Sequence, residues 1–382
     1  MRRELASFSP GAHRSPPSPA PPEGCTGHLD IDLGAIVTNW GLLSRHHSSG
    51  PVAALVKADA YGLGAAAVGP ALYGAGCRHF FVALLSEAMA IRDLLPEAML
   101  AVLGGPLPGS EPEYIAHNII PVLNSLAELR AWRAAAHRVG CRLPALLHID
   151  TGMARLGLDA RELAILQNDH TLLDGIELRY IMTHLVSSEI PDDPMNAQQR
   201  ERFAAACAAL PRAPRTLANS SGIFLGTGWA SDLARSGAAL YGINPTPGQP
   251  NPMHKTVQLR VQVLAVRQVN AGETVGYNGT WRAARPSRIA TAGLGYADGW
   301  HRSLSDCGKA FFDGTPLPLV GRISMDLTTF DVTERPAVQP GSWLELLGPH
   351  QTPDDVAQLA GTNGYEVLTS LGRRFHRTYR PA

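Results

Sequence analysis

The sequence has little of what would commit it to a membrane, a nucleic acid or an oxidising compartment. Lys plus Arg and Asp plus Glu number 33 each, the formal net charge is +0, and no long basic run occurs, so an anionic polymer or membrane surface is not an expected partner. No apolar segment reaches the ~18 residues needed to cross a bilayer. The five cysteines, Cys25, Cys77, Cys141, Cys207 and Cys307, are odd in number and scattered, which gives neither a disulfide framework nor a zinc spacing; no metal is expected. A Gly-x-Gly-x-x-Gly turn after a first strand is missing, which argues against an open dinucleotide-binding sheet, and no solenoid period is visible. Residues 1–24 begin Met-Arg-Arg but lack the apolar core of a signal peptide and carry six prolines; they read as a disordered extension of a cytoplasmic protein. Small molecules are the expected ligands.

What is present is an alternation. Short apolar runs at 52–57, 79–84, 99–104, 119–123, 144–150, 176–184, 215–219 and 232–241 are separated by helix-forming stretches such as Ser125 to Arg138 and Asn196 to Leu210. Eight strands alternating with helices or short turns predict an α/β fold with a closed (β/α)8 barrel of the TIM type over residues 25–250. Beyond Pro252 the texture changes: Val257, Leu259, Val261 and Val263 alternate with polar residues, and turns such as Asp313-Gly314 recur, which predicts a mostly-β domain over 251–382. The segment 28–40 could give a strand to either domain.

In such a barrel, reactive groups sit where strands end on the C-terminal face. The first run ends in Ala-Leu-Val-Lys57-Ala-Asp-Ala-Tyr61-Gly-Leu-Gly64. A lysine at the end of a buried strand loses hydration, which favours the neutral amine that condenses with an aldehyde. Later strands end in His148-Ile-Asp150-Thr-Gly152-Met-Ala-Arg155, in Thr183-His184-Leu185 and in Ala218-Asn219-Ser220-Ser221-Gly222, and the eighth carries Ala234-Arg235-Ser236-Gly237. Singly, each has an ordinary structural explanation: a lysine snorkelling to solvent, a turn, a satisfied histidine, a surface arginine.

Together with Gly293-Leu-Gly-Tyr296-Ala-Asp298-Gly299, Val320-Gly-Arg322-Ile-Ser-Met325-Asp326 and Gly361-Thr-Asn-Gly-Tyr365-Glu366, these motifs resemble those of the alanine racemases, pyridoxal-phosphate enzymes of fold type III, in the same order and over the whole chain except residues 1–24. The resemblance implies that Lys57 bears the cofactor as a Schiff base and acts as one base. It implies that Tyr61, Asn219, Ser220, Gly237 and Tyr365 bind the cofactor, mostly at its phosphate. Arg235 would donate to the pyridine nitrogen, with His184 beside the ring and hydrogen-bonded toward Arg235. Arg155 would bind the substrate carboxylate, and the other subunit of a homodimer would supply both Tyr296, as the second base, and Met325, which would help bind that carboxylate. The chain departs from the pattern at His148, where many members carry a carbamylated lysine. The implied activity is interconversion of L- and D-alanine for cell-wall synthesis. A broader amino-acid racemase, with serine as the second substrate, is the nearest alternative. A single-barrel pyridoxal-phosphate carrier would lack the second domain, and the Gly-Gly-Gly phosphate loop of the related decarboxylases does not occur.

Overall fold

Buried parallel strands read as near-continuous apolar runs because both faces are covered, and the computed structural model, which describes residues 24–382, bears this out. Strands β2 (Val52–Leu55), β3 (His79–Val82), β4 (Met99–Val102), β5 (Ile120–Leu123), β6 (Leu143–His148), β7 (Ile176–Met182), β8 (Arg215–Thr216) and β9 (Ala234–Ser236) pair in parallel, each with its neighbour in sequence, and β9 returns to β2. A bridge between Thr216 and Leu233 joins β8 to the edge of β9 and closes the barrel. The intervening helices are set by local capping. Leu126–Val139 starts on Ser125, whose hydroxyl accepts from Glu128 N, and stops at Gly140 in the left-handed conformation.

The last two strands are shorter than the apolar runs suggest. Ser221–Leu225 and Ala238–Tyr241 form 3-10 turns, because Ser220 Oγ accepts from Gly237 N (3.1 Å) and Ala239 N (3.3 Å) and draws the chain out of the ladder. The run Ala238 to Tyr241 therefore packs as a turn. The expectation for residues 1–24 falls, apart from Gly24, outside the described residues.

The second domain is built on β10 (Val257–Val269), whose buried positions alternate through Val257, Leu259, Val261 and Val263. It pairs antiparallel with Ser287–Ala292 and Trp343–Leu347. The segment that the sequence left open to either domain pairs with this sheet. Strand β1 (Gly27–Asp32) pairs antiparallel with β10 and parallel with the last strand, His376–Arg380. Every residue of β1 is buried, and its polar members have partners to match: His28 Nε2 lies 2.9 Å from Thr378 Oγ1, and Asp30 pairs with Arg380. The chain reaches the barrel only through the helix Leu33–His46, capped by Asp32.

Candidate active site

The strand after which the site is built does not end in an ordinary turn. Residues Ala58, Asp59, Ala60 and Tyr61 all have φ between 51° and 55°, one turn of left-handed helix closed by Ala60 N to Val56 O (2.9 Å) and Gly62 N to Ala58 O (2.7 Å). For L-residues this costs roughly 1–2 kcal/mol each, so the surroundings must hold it. Asp59 Oδ1 accepts from Ala65 N at 2.7 Å, and Arg377 of the β domain donates to Gly62 O at 2.5 Å. The turn leaves Lys57 at the mouth of the barrel and sends Tyr61 back into its core, stacked on Tyr241 with ring centroids 4.7 Å apart.

Lys57, Tyr61, Arg155, His184, Asn219, Ser220, Arg235, Gly237 and Tyr365 all line one cavity of about 430 Å³, the size of a small-ligand site. Its electrostatics are cationic. Arg235 is buried, and burial lowers its pKa to about 10, so it stays charged at neutral pH. It donates to Thr216 Oγ1 (2.6 Å) and Thr183 O (2.5 Å), not to His184 as expected. Burial, with the charges of Arg235, Arg155 and Lys57 behind it, drives His184 down to about 3, which keeps the ring neutral. Burial and then Arg155 push the Lys57 amine below its ordinary value, and Glu87 opposes them.

One corner is shaped for an anion. Ser220 Oγ lies 3.1 Å from Ser236 Oγ and accepts from Gly237 N. A Cβ at Gly237 would stand 2.2 Å from Tyr61 Oη, so only glycine leaves the close approach of backbone, Ser220 and Tyr61 open. Asn219 has a different job from direct lining alone: its Oδ1 accepts from Gly222 N (2.9 Å) and Ser188 Oγ (2.8 Å), fixing the loop that presents Ser220. Neutral hydroxyls and a glycine backbone beside a lysine whose pKa burial lowers, together with a buried guanidinium, fit the phosphate, aldehyde and ring nitrogen of pyridoxal phosphate.

The two residues that the resemblance assigns to the other subunit's β domain stand apart from this cavity. Tyr296 and Met325 do not line the Lys57 cavity of their own chain; they are 43% and 54% exposed on the β domain. They are adjacent there. Tyr296 N donates to Ser324 O (3.0 Å) and Ala297 N to Met325 O (3.0 Å), and a Cβ on Gly295 would meet Met325 O at 2.2 Å. Buried Asp298 accepts from Gly295 N (2.9 Å) and from Arg374 Nε (2.6 Å), and Arg374 also reaches Asp326 (2.8 Å). One guanidinium thus ties both loops into a ledge.

His148 is buried at the end of β6, its Nδ1 2.8 Å from Asn124 Oδ1. Asn124 Nδ2 donates to Leu103 O and Val122 O, so its oxygen must face the ring and Nδ1 carries the proton. Burial, followed by Arg235 and Arg155, pushes His148 down to about 4. Asn124, Arg374 and Glu87 escape a sequence reading because each acts on backbone or side chains far away in sequence; none has a local motif.

Comparison with known proteins agrees with this geometry. Residues 31–245 match the model of the alanine racemase N-terminal domain and residues 256–379 that of the alanine racemase C-terminal domain. An alanine racemase of Acidiphilium cryptum is 56% identical over 92% of this chain and 98% of its own length, and a catabolic alanine racemase of Mesorhizobium japonicum is 49% identical over 92% of each. Among solved structures, the alanine racemase of Bartonella henselae, with covalently bound pyridoxal phosphate, superposes with a TM-score of 0.91 at 42% identity, covering 93% of this chain and all of that one. The biosynthetic enzyme of Pseudomonas aeruginosa gives 0.87 at 31%, covering 93% and 99%. Barrel, β domain, lysine cavity and sequence agree, and the chain belongs to the alanine racemase family.

Proposed function

We propose that this chain interconverts L- and D-alanine with pyridoxal phosphate held at Lys57 and with two bases drawn from two subunits of a homodimer. Bound there, pyridoxal phosphate supplies an electron-withdrawing ring that makes the α-proton of the attached amino acid acidic. Ser220, Tyr61 and Tyr365 offer hydroxyls and Gly237 an amide to its phosphate. Arg235 would donate to the ring nitrogen; its guanidinium keeps its protons and cannot accept a hydrogen bond, so that nitrogen would stay an unprotonated acceptor and the electron withdrawal would be moderated. Arg155 binds the substrate carboxylate. Lys57 takes or returns the α-proton on one face, a role that its lowered pKa supports.

Racemisation needs a second proton carrier on the opposite face, and the observation that carries the reading is the position of Tyr296. It stands on an exposed, braced ledge outside its own Lys57 cavity, which suits delivery to the barrel mouth of another copy. Val186, which lines that cavity, is an exposed apolar side chain, as are Leu156 and Ile190, the neighbours in sequence of the lining residues Arg155 and Glu189, and such side chains suit a covered interface. Met325, beside Tyr296, would contact the substrate carboxylate in the same composite site. The D-alanine formed would serve cell-wall synthesis in the cytoplasm; no helix among the described residues is long and apolar enough to cross a membrane.

Subunit mixing tests this. Lys57→Ala and Tyr296→Phe homodimers should each be nearly inactive, and free exchange between them should restore up to about one quarter of wild-type activity, because half the dimers then hold one intact site of two. Verified exchange without recovery would refute the shared site.

A further inference from the structure

The left-handed turn after Lys57 leaves one question of backbone accounting. Its internal bonds satisfy Ala60 N, Gly62 N and Gly64 N, but the first amide of the run, Ala58 N, points its hydrogen out of the turn. Its acceptor comes from another unit of the barrel. Glu87, on the helix Leu85–Ile91 that follows β3, splits its carboxylate. Oε2 accepts from Ala83 N (2.8 Å) and Leu84 N (3.0 Å) and so caps its own helix, while Oε1 crosses to Ala58 N at 2.6 Å. A charge-assisted bond of that length is among the stronger single contacts available to a backbone amide. It falls on the residue next to Lys57.

We propose that Glu87 is a positioning residue for Lys57: its carboxylate pins the backbone at Ala58, fixes the direction in which the lysine side chain leaves the strained turn, and sets a negative charge against the arginines that face the amine. The proposal rests on reading Lys57 as the cofactor-bearing, proton-moving residue. The titratable groups that share the cavity with Lys57 are Tyr61, Arg155 from the loop after β6, His184 at the end of β7, Arg235 on β9, Tyr365 from the β domain and Glu189. Arg155 and Glu87 act on the amine in opposite directions, Arg155 toward the neutral form and Glu87 toward the charged one. A purely structural clamp would supply the bond without the charge.

Two variants of the holoenzyme separate bond from charge. Glu87→Gln removes the charge and must turn an amide N–H toward either Ala58 N or the 83–84 amides. Glu87→Asp keeps the charge on a shorter arm. Met89→Ala, an exposed position on the same helix, is the control. In Glu87→Gln, deuterium uptake by the backbone segment 57–62 should rise several-fold, and the limb of the kcat profile governed by Lys57, whose amine is free once substrate has displaced it, should move to lower pH by about half a unit or more, because loss of the negative charge disfavours the protonated amine. In Glu87→Asp the uptake should rise while that limb stays close to its wild-type pH. Either readout remaining at its wild-type value in Glu87→Gln, or the limb moving to higher pH, overturns the proposal. Borohydride trapping of the cofactor keeps the two readings apart: an adduct on a peptide lacking Lys57 would refute the underlying assignment, whereas an adduct on Lys57 with unchanged uptake and profile would refute only the role of Glu87.

Discussion

The barrel mouth and the ledge on the β domain are built on opposite plans. The mouth is enclosed, cationic and under strain: a buried arginine, two histidines held neutral by burial, and a lysine displayed on a left-handed turn. The ledge is open and relaxed, its Tyr296 and Met325 exposed, and its rigidity comes from ordinary ion pairs to Arg374. A cavity that must hold one ligand for the life of the protein repays the cost of burying charge and bending backbone. On the proposed reading the ledge docks into another copy, and a surface with that task has to be finished beforehand; pairs near solvent suffice for it.

The sharpest way to break this contrast is to remove one acidic or basic group from each side. Lys57→Ala should erase both activity and the absorbance at about 420 nm expected of the lysine-bound cofactor. Tyr296→Phe should lose about 10²–10⁴-fold in turnover and keep the band. The ledge variant should also retain α-proton exchange with solvent from one enantiomer while losing it from the other, measured in deuterium oxide. Equal loss from both enantiomers would show that Tyr296 does not serve a face of its own.

Acid should act on the enclosed half. His148 has its pKa lowered to about 4 in the fold, against about 6.5 unfolded. As pH falls below 6.5 the unfolded chain takes up a proton that the folded one refuses, so stability is lost between pH 6.5 and about 4, in total on the order of 3 kcal/mol from this residue. His148→Gln should flatten that part of the curve in urea titrations at pH 7 and 4.5; an unchanged acid slope would mean that the ring is not held neutral. The smallest effect is expected on the open half. Arg374→Ala should lower kcat/KM about tenfold by loosening the two loops it joins, with the cofactor band and its pH dependence as in the wild type. A change in that band would show that the ledge and the cavity of one chain are coupled.

What the sequence reveals of this arrangement follows from its physics. Parallel barrel strands are buried on both faces, so they stand out as apolar runs, and the groups that end them, Lys57, His184, Ser220 and Arg235, fall at the edges of those runs. The left-handed turn leaves no such trace: Ala-Asp-Ala-Tyr has no preference for positive φ, and the glycines at 62 and 64 advertise only a turn. Glu87, Asn124 and Arg374 act at separations of 24 to 76 residues in their key bonds, beyond any local pattern. Strand β1 alternates in a way that either sheet could accept, and only its pairing with His376–Arg380 decides its domain.

That pairing also dictates when the molecule can come into being. His28 and Thr378, hydrogen-bonded neighbours in the sheet, lie 350 residues apart along the chain. A ribosome delivers β1 first and its flanking partners long afterwards, β10 past the end of the barrel and His376–Arg380 later still. Non-local pairings of this span are slow to form, and an N-terminal strand made early waits unpaired while the domains behind it fold. The barrel with its lysine can therefore mature before the rest of the chain is made, but the sheet that carries Tyr296 closes only once His376–Arg380 has joined β1.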